Sequence, residues 1–480
     1  MTDPSIVAQL SLWPEPCLPP KKPGKTSPLH RAWLCSGRLP DWVKLSPTAM
    51  RLLQLLGPLH WGNFPERDLE RHWCKPPIPY AALAAAELIK LNEPLPSVGH
   101  LRRYLYEHPS LIWLLGFPLV PAWHTALGFN ALASLPSQRH FTAMLRHMPQ
   151  ATSQFLLNDS VALILAELAA HALPPIECVS LDTKHIVAWV KENNPKAYVT
   201  DRFNKAHQPV GDPDCRLGCK RRHTRAASTT PTQNPQAATG LKVGEYYWGY
   251  GSGVVVAKVA DLGEFVLAEL TQPFDHGDLS YFFPLMSQTE QRLGYHPRCG
   301  TFDAAFDAWY VYAYFYREND PLAMAAVPFS GRGGVLHRPF SPDGLPVCQA
   351  NLPMPLQYIF TDRTSCLIEH ERGKYVCPLR YPRPSRRQCP IHHEQWAAGG
   401  CTVMMPTSIG ARLRYTLNRD SEAYKTLYRQ RTAVERINAQ AVALGIEHPH
   451  LRNGAAIANQ NTLIYALINL RFLQRLRHSG

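Results

Sequence analysis

Three side chains near the C-terminal end of the sequence have types and a spacing that suit chemistry: Tyr428, Arg431 and Glu435. On a helix these positions lie at i, i+3 and i+7, so a phenol, a guanidinium and a carboxylate share one face. Two more carboxylates, Asp182 and Asp303, lie far upstream, and each follows a short apolar run. Three acidic groups in such positions predict a metal site that cleaves nucleic acid.

The chemistry of that site follows from its substrate. Cleaving a phosphodiester, or joining a 3′-hydroxyl to another strand, requires an activated oxygen nucleophile and a neutralised leaving oxygen, and two divalent cations about 3.5–4 Å apart supply both. Mg²⁺ (or Mn²⁺) prefers oxygen ligands and keeps several waters, so carboxylates that converge from separate elements suit it. We predict that Asp182 bridges two ions, that Asp303 and Glu435 each complete one site, and that Lys184 contacts a phosphate or the leaving group.

Each of these residues also has a structural interpretation. An Asp at a strand end often forms a turn or caps a helix, and Glu435 beside Arg431 matches an i,i+4 surface pair that contributes only about 0.3 kcal/mol. Asp307 competes with Asp303 for the second position. We prefer Asp303 because Asp307 would lie one turn into a helix.

The elements that must position the acids form a mixed α/β pattern. In chain order, we predict strand 176–181 ending at Asp182, strands Ser252–Val259 and Phe265–Leu270, a helix over 279–294 capped by Asp278, a strand over 297–302 ending at Asp303, a helix over 304–317 and a strand over 323–329. This order predicts a mixed sheet covered by helices on both faces. In open α/β sheets, sites gather at the carboxyl ends of strands.

The chain is long enough for two or three domains. We predict an irregular N-terminal arm over 1–45, a helical domain that binds DNA ends over 46–172, a catalytic core over 173–329 with a basic loop insertion at 184–250, an insertion rich in Cys, Arg and Pro over 330–420, and the last core helices with a basic tail over 421–480. In the helical domain, helical periodicity at 47–56, 79–91, 99–106 and 160–172 supports this prediction. Arg102, Arg103, Arg139 and Arg146 are its candidate DNA contacts, and the alternative is a solvated basic face.

The charge balance indicates a nucleic-acid partner. The 480 residues include 50 Lys and Arg against 37 Asp and Glu, which gives a formal net charge of +13. Basic residues cluster at 216–225, 380–387, 412–419, 429–436 and 471–477, and clustered positive charge is typical of phosphate binding, although many basic proteins use Lys and Arg only for solubility. No stretch is predicted to span a membrane. We therefore expect a cytoplasmic, nucleoid-associated protein that binds double-stranded DNA.

These motifs resemble those of bacterial insertion-sequence transposases of the DDE type, whose catalytic domain is RNase H-like. The matching segments are Ser180–Lys184, Gly300–Asp307, the tyrosine, arginine and glutamate of the signature at Tyr428, Arg431 and Glu435, and, in the helical region, Leu101–Gly116 with Leu135–Met148. The resemblance implies Mg²⁺-dependent cleavage and strand transfer at the ends of an insertion sequence by a homodimer on paired DNA ends. It also implies that Tyr428 and Arg431 hold the DNA end and that the insertion 330–420 lies over the active site.

One position departs from the family pattern. The signature usually continues to a lysine seven residues after the glutamate, where this chain has Val442, so neighbouring Arg436 is our candidate for the missing phosphate contact. Two other functions fit the same features: a DNA-binding protein that has kept the fold without catalysis, and a stand-alone nuclease.

Cysteines in the insertion form a candidate zinc site. Cys377, Cys389, His392 or His393, and Cys401 fall within 25 residues and offer one Zn²⁺ four ligands, with small buried thiols as the competing interpretation. The pattern Cys215-x₃-Cys219-x₃-His223 is a weaker candidate, because its basic surroundings favour phosphate contact.

Overall fold

The computed structural model describes residues 39–69, 77–220, 245–330, 338–363, 367–385, 387–391 and 393–478. Most of the predicted N-terminal arm, the Thr- and Pro-rich part of the loop insertion, His223 and His392 lie outside these residues. The predicted helix over 47–56 is confirmed as α2. Its start is fixed by Ser46, whose hydroxyl accepts a hydrogen bond from the Ala49 amide, and by Pro47 at the first helical position.

Helices make up the described part of the N-terminal region. They are α1 (Asp41–Lys44), α2 (Pro47–Leu56), α3 (Tyr80–Asn92), α4 (Val98–Glu107), α5 (Pro109–Leu114), α6 (Ala131–Ser134), α7 (Gln138–His147) and α8 (Gln150–Ala170). The helices predicted over 79–91 and 99–106 are confirmed to within one residue as α3 and α4. The helix predicted over 160–172 is the second half of α8, which begins ten residues earlier. The first turns of α8 are rich in polar residues, so the apolar periodicity did not indicate where the helix starts. These polar side chains form hydrogen bonds inside the protein, as Ser153 does with Asn459 at 2.6 Å.

A mixed sheet forms the centre of the molecule. Its strands are β1 (Cys178–Val187), β2 (Arg216–Lys220), β3 (Glu245–Val259), β4 (Gly263–Pro273), β5 (Cys299–Thr301) and β6 (Ala325–Ala326). Strands β4, β3 and β1 are neighbours and antiparallel, and β5 and β6 continue the sheet parallel to β1, while β2 pairs with the first part of β3. The predicted mixed α/β sheet is confirmed, and Asp182 lies on its central strand.

Strand β1 is longer than predicted. The sequence indicates a strand that ends at Asp182, but β1 continues to Val187, with Asp182 paired to Val254 and Val187 to Gly249. The strand continues because β3 is 15 residues long and offers backbone partners along this whole stretch. Asp182 therefore lies within a strand, which holds its backbone more firmly than a strand end would.

Helices cover both faces of the sheet, and they complete the core. Helices α9 (Phe282–Leu293) and α10 (Trp309–Phe315) cover the face of Leu181 and Val255, whereas α13 (Thr432–Ala443) and α14 (Gly454–His478) cover the face of Val254 and Val256. Successive side chains along a strand point to opposite faces of the sheet, and Leu181 lies on the face covered by α9 and α10. Its neighbour Asp182, which pairs with Val254, therefore lies on the face covered by α13.

Helix α14 joins the sheet to the N-terminal helices. Its Asn469 accepts a hydrogen bond from the Val266 amide and donates one to the Val266 carbonyl, whereas Asn459 donates to the carbonyls of Leu145 and Met148. Apolar residues of the N-terminal helices, α14 and the sheet form one continuous hydrophobic cluster. The N-terminal helices are thus packed onto the sheet through α14.

One helix among the described residues, α8, is long and apolar enough to cross a membrane by length and composition alone. It packs against α14 and carries the buried polar residues Asp159 and Ser160. A core helix has these properties.

The predicted insertion contains a small sheet of its own. Strands β7 (Leu356–Asp362), β8 (His370–Val376) and β9 (Thr402–Pro406) are antiparallel, and α11 (Ile409–Thr416) and α12 (Glu422–Tyr428) lead back to α13. Helix α11 crosses α10 so closely that a Cβ at Gly410 would lie 2.0 Å from the Trp309 carbonyl oxygen. Glycine is therefore required at the contact that joins this part of the chain to the core.

Candidate active site

Asp182 and Asp303 come from neighbouring parallel strands. Ser180 of β1 pairs with Thr301 of β5, so two residues further along both strands the two aspartates lie at the same level. The Ser180 and Thr301 hydroxyls lie 2.7 Å apart, and Ser180 Oγ also donates to the carbonyl of Gln430 at 3.3 Å. This contact holds the chain entering α13 against the sheet directly beside the two acids.

Asp303 is held at the first turn after β5. Its carboxylate accepts a hydrogen bond from the Ala305 amide at 2.9 Å, and it caps a 3₁₀ turn over Ala304–Phe306. The predicted helix over 304–317 is wrong in its first part, because this short turn and an extended link precede α10. Burial raises the pKa of Asp303, the Ala305 amide lowers it, and the neighbouring charge of Asp278 raises it.

Arg431 connects Glu435 to Asp182. Its Nη1 lies 2.6 Å from Glu435 Oε1, and its Nη2 lies 3.5 Å from Asp182 Oδ2. The helix predicted through this signature is interrupted, because residues Arg429–Arg431 form a 3₁₀ turn between α12 and α13. Arg431 nevertheless reaches Asp182, and Glu435 contacts Arg431 while its side chain remains 55% exposed.

Buried carboxylates give this region an unfavourable charge balance. Burial raises the pKa of Asp182 to about 6, the charge of Arg431 opposes this shift, and the nearby carboxylates of Asp303 and Asp278 add to it. Repulsion between carboxylates favours either a bound proton or a bound cation. The negative charge of these buried carboxylates is therefore balanced in part by Arg431 and in part by the raised pKa of Asp182.

Sequence reasoning missed two residues of this region. Asp278, which we predicted to cap the helix over 279–294, instead starts the 3₁₀ turn Asp278–Tyr281 and accepts a hydrogen bond from Thr183 Oγ1 at 2.7 Å. Asn438 lies one turn after Glu435, and its Nδ2 approaches Asp182 Oδ2 at 3.4 Å. Asn438 could have been found from the sequence, because it lies three residues after Glu435 and so on the same face of the helix. No local sequence pattern links Asp278 to Asp182.

The donor set fits a hard divalent cation. Asp182, Asp303, Asp278 and Glu435 offer carboxylate oxygens, and Asn438 Oδ1 is buried without a hydrogen-bond partner. Oxygen ligands from separate elements are those that Mg²⁺ takes. As the side chains stand in the described part of the chain, no three His, Cys, Asp or Glu residues are arranged to hold an ion. Here Arg431 supplies the positive charge between Asp182 and Glu435.

Asp307 has a structural environment. Arg414 of α11 donates to both of its carboxylate oxygens at 2.9 and 2.7 Å, and Tyr312 and Ser330 donate as well. Burial would raise the pKa of Asp307, but these hydrogen bonds lower it below its usual value. A carboxylate with a side chain only 1% exposed and fully occupied oxygens has no free ligand position. The geometry therefore favours Asp303 over Asp307 as the second acid.

Two of the predicted DNA contacts are engaged in ion pairs. Lys184 Nζ lies 2.5 Å from Glu447 Oε1. Arg436 donates to both oxygens of Glu264 at 2.9 and 3.1 Å, which turns it toward the β3–β4 hairpin and away from the Arg431 side of α13. Val442 is exposed on α13. The structure thus does not bring Arg436 to the acids.

Tyr428 lies beside the acids at the end of α12. Its ring stacks on Tyr424 with 5.7 Å between ring centroids, and the side chain is half-buried. Burial raises its pKa, and the charges of Arg431, Asp303, Glu435 and Asp182 act on it. Tyr428 therefore lies near the acidic residues and Arg431.

The cysteine candidates fall into two groups. Cys389 and Cys401 both approach His393, and Cys377 is buried next to the turn before Cys401. Cys215 instead donates to the Asp212 carbonyl in the core, and the third member of its pattern lies outside the described residues.

A scan against models of known protein families finds none that matches the chain, and a search of curated proteins finds no match either.

The raised pKa of Asp182 predicts pH-dependent metal binding. In the folded protein, Asp182 keeps its proton up to about pH 6. In the unfolded chain, Asp182 loses this proton near its ordinary pKa of 3.8. The stability that this proton contributes is complete below about pH 4 and is lost as the pH rises through about 6. We expect the increase in melting temperature caused by Mg²⁺ or Mn²⁺ to grow between about pH 5 and about pH 7 and then to level off.

Differential scanning fluorimetry at several pH values measures this dependence. Asp182→Asn should remove it, and Glu422→Gln, which changes an exposed carboxylate on α12, should leave it intact. A metal-induced shift of the same size at pH 5 and pH 7 would contradict the assignment of Asp182.

Proposed function

We propose that the chain is a DDE-type transposase that cleaves DNA and transfers strands at the ends of an insertion sequence with the help of Mg²⁺. The observation that carries the proposal is the convergence of Asp182, Asp303 and the Arg431–Glu435 pair. They come from two parallel strands and one helix, far apart in sequence, and Arg431 Nη2 lies 3.5 Å from Asp182 Oδ2.

The sheet supports an RNase H-like catalytic core. Three antiparallel strands, β4, β3 and β1, continue into two parallel strands, β5 and β6, and helices cover both faces. The first acid lies on the central strand and the second follows the strand next to it. A metal-dependent phosphoryl-transfer site requires carboxylates fixed by rigid elements, and this arrangement supplies two of them.

The acids would hold divalent cations with oxygen ligands. Arg431 links Asp182 to Glu435, and Asp303 follows the strand next to that of Asp182, so Asp182 would contribute to both ions while Asp303 and Glu435 would each contribute to one. When bound, the ions would activate the attacking oxygen and neutralise charge on the leaving oxygen. Asp278 contacts Thr183, and Asn438 contacts Asp182. Through these contacts the two side chains would orient or complete the ligand set.

Arg431 and Tyr428 would hold the DNA end. A guanidinium can bind a phosphate through two parallel hydrogen bonds, and Arg431 would be available for that contact when Asp182 and Glu435 hold an ion. The half-buried phenol of Tyr428 lies one turn before Arg431, so the two side chains would contact neighbouring parts of the same DNA end.

The N-terminal region offers a candidate contact for a DNA phosphate. A pocket of about 330 Å³ between α3 and α7 is lined by Arg67, Arg139, His140 and His147 together with Tyr80. Burial, and then the charges of Arg67 and His147, lower the pKa of His140. The guanidinium groups of Arg67 and Arg139 would suit a DNA phosphate, which supports the proposal that the helical region binds DNA ends.

The proposal is tested with purified protein and a double-stranded DNA fragment that carries the ends flanking its gene. We expect site-specific cleavage that leaves a 3′-hydroxyl, followed by joining to a target plasmid, in Mg²⁺ or Mn²⁺ and not in EDTA. Electrophoresis of end-labelled DNA measures both steps. A fragment with scrambled end sequences is the matched control.

The outcomes separate the competing functions. Binding of the DNA ends without cleavage in either metal would indicate a DNA-binding protein that has lost catalysis. Equal degradation of the specific and scrambled fragments would indicate a stand-alone nuclease. Cleavage confined to the specific ends, by a species with the mass of two chains on paired DNA ends, would support a transposase that acts as a homodimer at the nucleoid.

A further inference from the structure

The small sheet of the insertion has little hydrophobic core. Tyr358, Ile359 and Met404 on its strands are exposed, whereas Val376 and Met405 are among the few buried apolar side chains. Between β8 and β9 the chain runs through residues 377–401, where the one element among the described residues is the 3₁₀ turn Glu394–Trp396. A unit of this size with few buried side chains commonly needs a disulfide or a metal to hold it together.

Two cysteines face each other at the open end of this sheet. Val376 of β8 pairs with Thr402 of β9, so Cys377 and Cys401 are opposite each other one residue further along. Residues opposite each other on antiparallel strands have Cβ atoms about 4.5–5.5 Å apart, which suits two thiols that bind the same ion. Both side chains are buried, and Cys377 is followed by a tight turn in which the Arg380 amide donates to the Cys377 carbonyl.

His393 approaches two thiols at one nitrogen. Its Nε2 lies 3.5 Å from Cys389 Sγ and 3.6 Å from Cys401 Sγ. In a tetrahedral zinc site, Zn–S bonds of about 2.3 Å and a Zn–N bond of about 2.05 Å separate sulfur from nitrogen by about 3.6 Å. A single imidazole nitrogen forms one ordinary hydrogen bond, so a second thiol at the same distance is better explained by a shared ion.

We propose that Cys377, Cys389, His393 and Cys401 bind one structural Zn²⁺ that joins the loop 377–401 to the end of the β8–β9 pair. Three cysteines and one histidine form a ligand set that is common for structural zinc. The thiols must close around the ion, since the described side chains do not yet form a complete metal-binding group.

The backbone before Cys401 is shaped for this approach. Gly400 has a φ of +97°, and a Cβ there would lie 2.7 Å from Cys377 Cβ and 3.2 Å from Cys377 Sγ. Glycine is therefore needed both for the left-handed conformation and for the close contact. On the other side, the Arg380 guanidinium stacks over the Trp396 ring at 4.1 Å and so fixes the two ends of the loop against each other.

A fourth cysteine, Cys348, lies close enough to affect the Cys401 thiol. Burial, and then the neighbouring thiols of Cys348, Cys377 and Cys389, raise the pKa of Cys401. Cys348 lies in a separate turn, where its carbonyl accepts a hydrogen bond from the Asn351 amide, and it has no partner across the β8–β9 ladder. We therefore assign the fourth ligand to Cys377, with Cys348 as its competitor.

The metal content of the full chain tests the assignment. Protein purified from zinc-supplemented medium and measured by inductively coupled plasma mass spectrometry should contain about one zinc per chain. Cys389→Ser, His393→Ala and Cys377→Ser should each lower that content at least about tenfold under competition with a chelator, while Cys348→Ser and the matched control Cys219→Ser should retain it.

A second measurement covers variants that fail to fold. The wild-type protein loaded with Co²⁺ in place of zinc should show the thiolate charge-transfer and d–d absorption of a tetrahedral site. A wild-type protein without zinc and without these bands would overturn the site, and zinc lost from Cys348→Ser but kept in Cys377→Ser would overturn the choice of the fourth ligand. Zinc content does not depend on DNA cleavage, so a failure here is distinguishable from a failure of the proposed function.

Discussion

Replacing Asp182 by Asn should strongly reduce the rate of DNA cleavage without unfolding the protein. The amide is nearly isosteric with the carboxylate but cannot bridge two cations. Metal ions stabilise such transition states by several kcal/mol, and at about 1.4 kcal/mol per factor of ten a loss of about 4 kcal/mol lowers the cleavage rate roughly a thousandfold. Single-turnover cleavage of the flanking DNA ends in Mg²⁺ measures this rate. Asp303→Asn and Glu435→Gln should have effects of the same order.

Stability distinguishes a catalytic loss from a folding loss. The Asp182 carboxylate is buried beside Asp303 and Asp278, so the neutral amide should keep or raise the melting temperature of the metal-free protein at pH 7. Glu422→Gln removes an equal charge from an exposed position on α12 and should cleave like wild type. Wild-type cleavage by any one of the three site variants would remove that residue from the proposed ligand set.

Removing the Asp307 carboxylate should mainly destabilise the fold. Asp307→Ala leaves the Arg414 guanidinium buried without its partner, and breaking a buried ion pair in this way typically costs about 3–5 kcal/mol. Urea denaturation followed by tryptophan fluorescence measures the change in the free energy of unfolding. The pair joins α11 to the turn after β5, so the loss should also loosen the connection between the insertion and the core.

A double variant separates the buried charge from the lost contact. Asp307→Leu combined with Arg414→Met replaces both charges by apolar groups and should recover much of the lost stability, while Glu422→Ala, which removes an exposed ion pair, should cost less than about 1 kcal/mol. If Asp307→Asn were as stable as wild type and inactive in cleavage, Asp307 would be the second acid and Asp303 a cap.

The mixed sheet was predictable because its strands carry local patterns. The apolar runs before Asp182 and Asp303 are long enough to mark strands, and the sequence order of strands and helices indicates a sheet covered on both faces. The extension of β1 to Val187 was not predictable from these patterns. Polar residues follow Asp182, and the partner that keeps them in a strand is β3, more than sixty residues away in sequence.

The candidate site was predictable to the extent that its residues share one element. Arg431 and Glu435 meet as their helical spacing indicates, although a 3₁₀ turn replaces the continuous helix. Asp278 was assigned to a cap because its local sequence fits one, and its contact with Thr183 is a long-range contact. Cys348 was missed among the zinc candidates for the same reason, since it lies outside the stretch that holds the other thiols.

Helix α14 has a consequence for how the protein is made. Its Asn459 and Asn469 bond to Ser153 and Ser160, across sequence separations of 306 and 309 residues. A chain emerging from the ribosome reaches α8 and the sheet long before the helix that completes their shared core. Closing loops of this length is slow, and the apolar faces stay uncovered meanwhile. We therefore expect the nascent chain to expose these apolar faces, and to be prone to aggregation, until α14 has been synthesised.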